Sequence, residues 1–219
     1  MKNQVVYVHG KGGCADEAEH YRPLFPGDEV IGFDYSAQTP WEAREEFPRF
    51  FDSLRADGGS PTLIANSIGA FFSMSALSAR QINRALFISP IVDMGKLISD
   101  MMVWANVTED ELRIRKEIPT GFGETLSWDW LCDVRSHPLR WTVPTRILYG
   151  ERDILTPLET MTAFAARIGA PLTVMPGGEH WFHTPEQMAF LDRWIHESLS
   201  RRRIGAEEQS SPFVCRKEP

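Results

Sequence analysis

Six short apolar runs punctuate the chain, at residues 5–8, 30–33, 62–65, 85–88, 146–149 and 172–175. Each is bounded by turn-forming residues, and within each the apolar character is continuous. A strand with one wet face alternates polar and apolar side chains, whereas a strand apolar throughout is buried on both faces. The pattern therefore demands a mostly parallel sheet with helices packed on each side. Helical spacing fills most of the intervals. Phe47, Phe50, Phe51 and Leu54 follow it, as do Met188, Leu191, Trp194 and Ile195. Pro48 lies inside the first of these helices and is expected to kink or split it.

Three helix starts share one chemistry: Thr39-Pro40-Trp41-Glu42, Thr156-Pro157-Leu158-Glu159 and Thr184-Pro185-Glu186-Gln187. Each reads as a capping box, with Thr at the cap, Pro at the first helical position and Glu or Gln at the third. Strands and helices thus alternate, which gives an α/β fold with about six strands and right-handed crossovers. Residues 91–141 break the rhythm. They hold helical patches at 94–104 and 108–117 and a Gly-Phe-Gly turn at 121–123, and read as an insertion folded over one end of the sheet. Residues 1–199 are expected to form a single domain. Residues 200–219, with Arg201, Arg202 and Arg203, read as a loosely attached polar tail.

Charge and cysteine usage narrow the partners. The 219 residues carry 30 acids against 23 bases, a net charge of −7. A general polyanion binder needs the opposite balance, so nucleic acid is not expected as a partner. The cysteines Cys14, Cys132 and Cys215 are sparse and odd in number, which fits a reducing compartment and not a disulfide framework. No run is long enough to span a bilayer, and the apolar run at 5–8 is too short for a signal peptide. The expectation is a cytoplasmic protein.

Four segments carry chemistry, each following one of the apolar runs. Ala65-Asn66-Ser67-Ile68-Gly69 stands where a strand gives way to an apolar helix. A sharp strand-turn-helix elbow crowds the backbone, and it needs small residues two before and two after the residue it displays. Ala65 and Gly69 meet that need, one methyl group away from G-x-S-x-G. Alternatively, Ser67 merely caps a helix. His9-Gly10-Lys11-Gly12-Gly13 offers backbone N–H groups to an oxyanion. Donors would be the amides of Lys11 or Gly12 and of Ile68. The spacing fails both phosphate-loop patterns. His9 itself reads as structural.

Tyr149-Gly150-Glu151-Arg152-Asp153 places an acid at a strand's carboxyl end, where ligands bind in open α/β sheets. Asp153 is favoured as the partner of a histidine, with Asp93 the rival and Glu151 read as solvated. In Pro176-Gly177-Gly178-Glu179-His180-Trp181-Phe182-His183, His180 directly follows the glycine turn and is favoured over His183.

At these residues the chain resembles the α/β-hydrolase superfamily. Ser67, Asp153 and His180 stand in that family's order of nucleophile, acid and base. The His-Gly loop matches its oxyanion loop, and 91–141 occupies the position of its cap. The resemblance covers about residues 4–199, beginning at the strand before the oxyanion loop, so the family's first two strands are not represented. It implies a serine hydrolase acting on a small carboxylic ester through an acyl-enzyme on Ser67, with no metal or organic cofactor. The alternatives are a thioesterase, its nearest chemical rival, a carbon–carbon bond hydrolase with the same triad, and a non-catalytic ligand-binding protein, since one fold hosts many chemistries.

The insertion holds four of the seven tryptophans, Trp104, Trp128, Trp130 and Trp141, with Met94, Met101, Met102 and Phe122. Most read as packing against the sheet. Trp104 and Met102 are the candidates from this segment for the substrate pocket, and Trp181 joins them because it neighbours His180.

Overall fold

The computed structural model describes residues 3–55, 59–79 and 81–208, with side chains placed for all but residue 55 and 201–208. Six strands form one sheet: β1 (Gln4–Val8), β2 (Glu29–Gly32), β3 (Thr62–Asn66), β4 (Arg84–Ile88), β7 (Thr145–Gly150) and β8 (Leu172–Met175). Their order is β2-β1-β3-β4-β7-β8, and every pairing is parallel. All six apolar runs are strands. Alternate residues along them enter two separate cores. Val6, Val8, Leu63, Ala65, Ala85, Phe87, Ile147 and Tyr149 face one; Val5, Tyr7, Ile64, Leu86, Ile88 and Leu148 face the other. Two-sided burial is what makes the runs continuous in sequence.

The first core is covered by α1 (Pro40–Arg55), α2 (Ser67–Ala76) and α6 (Leu158–Ile168). The second is covered by the 3-10 helix Ala15–Leu24 and by α7 (Pro185–Glu208), through Tyr21, Leu24, Leu191, Trp194 and Ile195. Helix α7 thus runs past residue 200 and takes in the first part of the expected tail; 209–219 lie outside the described residues. Pro48 does not split α1. Phe47 and Phe51 flank it, both fully buried, and tertiary packing holds the helix across the missing hydrogen bond.

Two of the three capping boxes hold in part or whole. Thr39 and Glu42 exchange both bonds of the box. Thr184 accepts from the Gln187 N–H, but the Gln187 side chain returns to the N–H of His183. Thr156 is no cap. Its N–H donates to Asp153 and its hydroxyl turns toward the carbonyl of Pro90, so α6 begins after Pro157.

Between β4 and β7 the chain builds α3 (Met94–Trp104), α4 (Glu109–Arg115), the antiparallel hairpin β5 (Glu117–Pro119) and β6 (Thr125–Ser127), and α5 (Trp128–Ser136). Sequence spacing locates α3 and α4 but not the hairpin or α5. The Gly-Phe-Gly turn is the hairpin's tip, with Gly123 at φ 87° and Thr120 bonded to Glu124 across it. Asp133 of α5 pairs with Arg44 of α1, tying the segment to the main body.

Candidate active site

Because the strands are parallel, the loops that follow β1, β3, β7 and β8 leave the same edge of the sheet. The loop after β3 is a hard turn. Ser67 sits at φ 50°, a left-handed conformation that costs a serine on the order of 1–3 kcal/mol. A side chain at Gly69 would put its Cβ 2.2 Å from the His9 carbonyl oxygen, and one at Gly10 would press on the Ser67 Cβ at 3.2 Å. These glycines let the elbow and the His9-Gly10 loop touch.

That loop is itself held. The His9 ring stacks on Tyr35 at 4.3 Å, and the Tyr35 hydroxyl donates to the His9 carbonyl at 2.9 Å. His9 is buried, and it borders the cavity that opens over Ser67. Gly13 N–H donates to the Gly10 carbonyl at 3.1 Å, closing a turn over Lys11 and Gly12, with Gly12 at φ 76°. Lys11, Gly12, Ser67 and Ile68 all line one cavity.

Ser67 does not cap α2. Its Oγ lies 2.8 Å from His180 Nε2. His180 Nδ1 lies 2.7 Å from Asp153 Oδ2. Asp153 is buried, and its other oxygen accepts from the N–H groups of Leu155 and Thr156 at 2.8 and 3.3 Å. A carboxylate only accepts, so Nδ1 carries the imidazole proton and Nε2 is left to accept from the Ser67 hydroxyl.

The acid and base loops are laced together. Arg152 N–H donates to the Gly178 carbonyl at 2.7 Å, and Gly177 N–H donates to the Glu151 carboxylate at 2.7 Å. A Cβ on Gly150 would fall 2.3 Å from the Glu179 carbonyl. Glu151 is exposed, yet it fastens this turn. Below it, the buried Tyr149 hydroxyl donates to the Thr156 carbonyl at 2.7 Å. Burial, then the charge of Asp153, pushes that hydroxyl up to about 12, so it stays a donor.

The rivals lie elsewhere. Asp93 is exposed and caps α3 by accepting from the Lys96 N–H at 2.8 Å. His183 is exposed, bonded through Nδ1 to the Trp181 carbonyl and stacked on the Trp181 ring.

A cavity of about 590 Å³ opens over Ser67. Its apolar wall includes Phe72, Met94, Leu97, Ile98, Met101 and Trp130; its polar rim includes Lys11, Asp34, Gln38 and Glu124. Lys11 pairs with Glu124, so the glycine loop touches the hairpin tip. None of the three pocket candidates from sequence lines this wall. Met102 is buried in the core, Trp104 is half exposed against Phe122, and Trp181 is 67% exposed. Successive helix positions turn by about 100°, which sends Met101 into the cavity and Met102 away from it. The spacing 94, 97, 98, 101 is a helical face, and that signal could have found the wall.

No family model matches the chain. A Mycoplasma genitalium protein named esterase/lipase 3 is 27% identical over 103 residues, 41% of this chain and 37% of that protein's length. Among solved structures, Est1E from Butyrivibrio proteoclasticus superposes with a TM-score of 0.74 at 17% identity, covering 93% of this chain and 89% of that one. Mouse alpha/beta hydrolase domain-containing protein 10 gives 0.73 at 18% identity, with 90% of each chain covered. A Paleococcus ferrophilus monoacylglycerol lipase gives 0.62 at 19%, covering 90% and 93%. The chain has the α/β-hydrolase fold. The loops after β3, β7 and β8 meet at one sheet edge. Among the described residues no helix is long and apolar enough to cross a membrane.

Proposed function

We propose that this α/β-hydrolase-fold protein is a serine hydrolase that cleaves small carboxylic esters. The observation that carries the reading is the unbroken relay from Ser67 Oγ through His180 to the buried Asp153, at 2.8 and 2.7 Å, with the serine held at a strained elbow. Ser67 attacks the ester carbonyl while His180 Nε2 takes its proton. Asp153 holds the imidazole in the required tautomer and stabilises its charged form. The amides of Ile68 and of Lys11 or Gly12 hold the oxyanion. His180 then protonates the departing alkoxide. Water, deprotonated by the same imidazole, releases the acid from Ser67.

The 91–141 segment acts as the cap, and its methionines and Trp130 seat the apolar part of the substrate. The unpaired thiols of Cys14 and Cys132 support a reducing compartment, the cytoplasm.

The test is intact mass after exposure to a small fluorophosphonate, followed by turnover of p-nitrophenyl esters. One adduct on wild type, absent from Ser67→Ala, with ester turnover lost in that variant, is the expected result. No adduct on wild type, or adducts on both proteins, would sink the reading.

A further inference from the structure

The turn closed over Lys11 and Gly12 is packed at its ends and bare at its tip. A Cβ on Gly10 would meet the Ser67 Cβ at 3.2 Å, and one on Gly13 would meet the Glu17 carboxylate at 2.6 Å. A Cβ on Gly12 would find nothing within 4 Å, and Lys11 is exposed. Yet the tip carries the second oxyanion amide, that of Lys11 or Gly12. Such a donor works because its direction is fixed before the charge develops. Glycine, with the widest choice of backbone angles, does not supply that fixity. Among the described residues, the one side-chain hydrogen bond made by the tip runs from Lys11 Nζ to the Glu124 carboxylate. Glu124 is a firm anchor. It immediately precedes β6, and the N–H and hydroxyl of Thr120 both donate to its carbonyl at 2.7 Å. Its own N–H donates to the Thr120 hydroxyl at 3.2 Å. Ile118 and Leu126, one from each strand of the hairpin, are buried in the first core.

We propose that Glu124 is a positioning residue: through the Lys11 side chain it fixes the turn that supplies the second oxyanion amide. This rests on the serine-hydrolase reading above. The segment between β4 and β7 then does more than bound the cavity, because its hairpin aims a donor that belongs to the loop after β1. With the ion pair broken, the amide of Ile68 stays in place at the start of α2 while the amide at the turn loses its direction. The loss falls on the transition state, where the oxyanion exists, and not on the bound ester.

The test is a charge exchange. Glu124→Gln keeps the size of the side chain and removes its charge. Its kcat for p-nitrophenyl acetate and its rate of fluorophosphonate labelling are expected to fall about two- to fivefold, the range of an exposed ion pair. KM should change little. Glu124→Lys and Lys11→Glu each set like charges against one another and should fall further, on the order of tenfold. The double variant Lys11→Glu/Glu124→Lys restores the pair with its ends reversed and should recover most of the rate. A Lys11 charge that acts directly on the oxyanion predicts no recovery, since the exchange moves that charge to residue 124. A pair that merely stabilises the hairpin predicts a lower Tm with kcat unchanged below the transition. Sodium chloride near 1 M, where the screening length is about 3 Å, should bring wild-type kcat toward that of Glu124→Gln, whose own rate stays flat. Nuclear magnetic resonance gives a readout independent of activity: the Gly12 amide should have a lower order parameter in Glu124→Gln than in wild type. An unaffected Glu124→Gln rate, no recovery in the exchange variant, wild-type kcat indifferent to salt, or an unchanged Gly12 order parameter would overturn the proposal. A wild type that neither labels nor turns over ester fails earlier, at the serine-hydrolase reading, and takes this proposal with it.

Discussion

Asp153 uses both of its carboxylate oxygens, one toward two backbone N–H groups and one toward His180. In Asp153→Asn the amide oxygen can keep the backbone bonds, while the amide nitrogen then faces His180 Nδ1 and forces the wrong imidazole tautomer. Stability should change modestly and kcat should fall by about 10⁴-fold, measured on an activated ester with thermal unfolding as the control. Asp93→Asn should stay within about twofold of wild type in kcat, because Asn caps a helix as well as Asp does. The reverse result would move the acid to Asp93. At this scale the sequence is informative for residues tied to a turn and uninformative for residues tied to a face. Ser67, Asp153 and His180 each follow a strand end with small neighbours, so chain position singles them out. Trp181 follows His180 in the chain, yet it is turned out to stack on His183, because sequence neighbours on an extended loop do not point the same way.

The elements were legible where burial is two-sided and obscure where they are short. Five of the six strands carry all four residues of their apolar run, and β2 carries three. The hairpin strands β5 and β6 are three residues long and bury only Ile118 and Leu126, too little to leave a period. Their trace was the Gly-Phe-Gly turn with Thr120 and Glu124 on either side. Caps were legible as sequence but not as outcome: Thr39 caps, while Thr156 is recruited by Asp153. The Thr39–Glu42 box is therefore the one to test. Thr39→Ala should cost about 1 kcal/mol, a fall in Tm of roughly 2–4 °C. Hydrogen bonds from the Gln38 backbone and the Thr39 side chain, with the Thr39 backbone adding to them, hold the Glu42 carboxyl below its ordinary range. A depressed carboxyl contributes its stability above the unfolded value and loses it as pH falls through the folded one. Glu42→Gln should thus lower Tm at neutral pH and less so in acid.

For the molecule as a whole, the cavity is a joint product of two parts. The main body contributes Ser67, Ile68 and Phe72; the segment between β4 and β7 contributes α3, the hairpin tip and Trp130. Trp130 stacks near Phe71 and Phe72, so it both fastens the segment and bounds the cavity. Trp130→Ala should enlarge the space and shift preference toward longer acyl chains, by about tenfold or more in the ratio of kcat/KM between a long and a short p-nitrophenyl ester. An unchanged ratio would place the acyl group elsewhere.

The edge position of β8 has a consequence for how the protein fails. Its residues Leu172, Thr173 and Val174 are only partly buried, and one side of the strand has no sheet partner among the described residues. Edge elements with few buried contacts open at lower free energy than the centre of a sheet. The histidine loop hangs from this strand, whereas Ser67 hangs from β3 in the middle. Partial opening would therefore withdraw His180 while the elbow stays formed. In rising urea, catalysis should vanish before the tryptophan emission of the core shifts, and the chain should pass through a state that keeps its architecture and has already lost its chemistry.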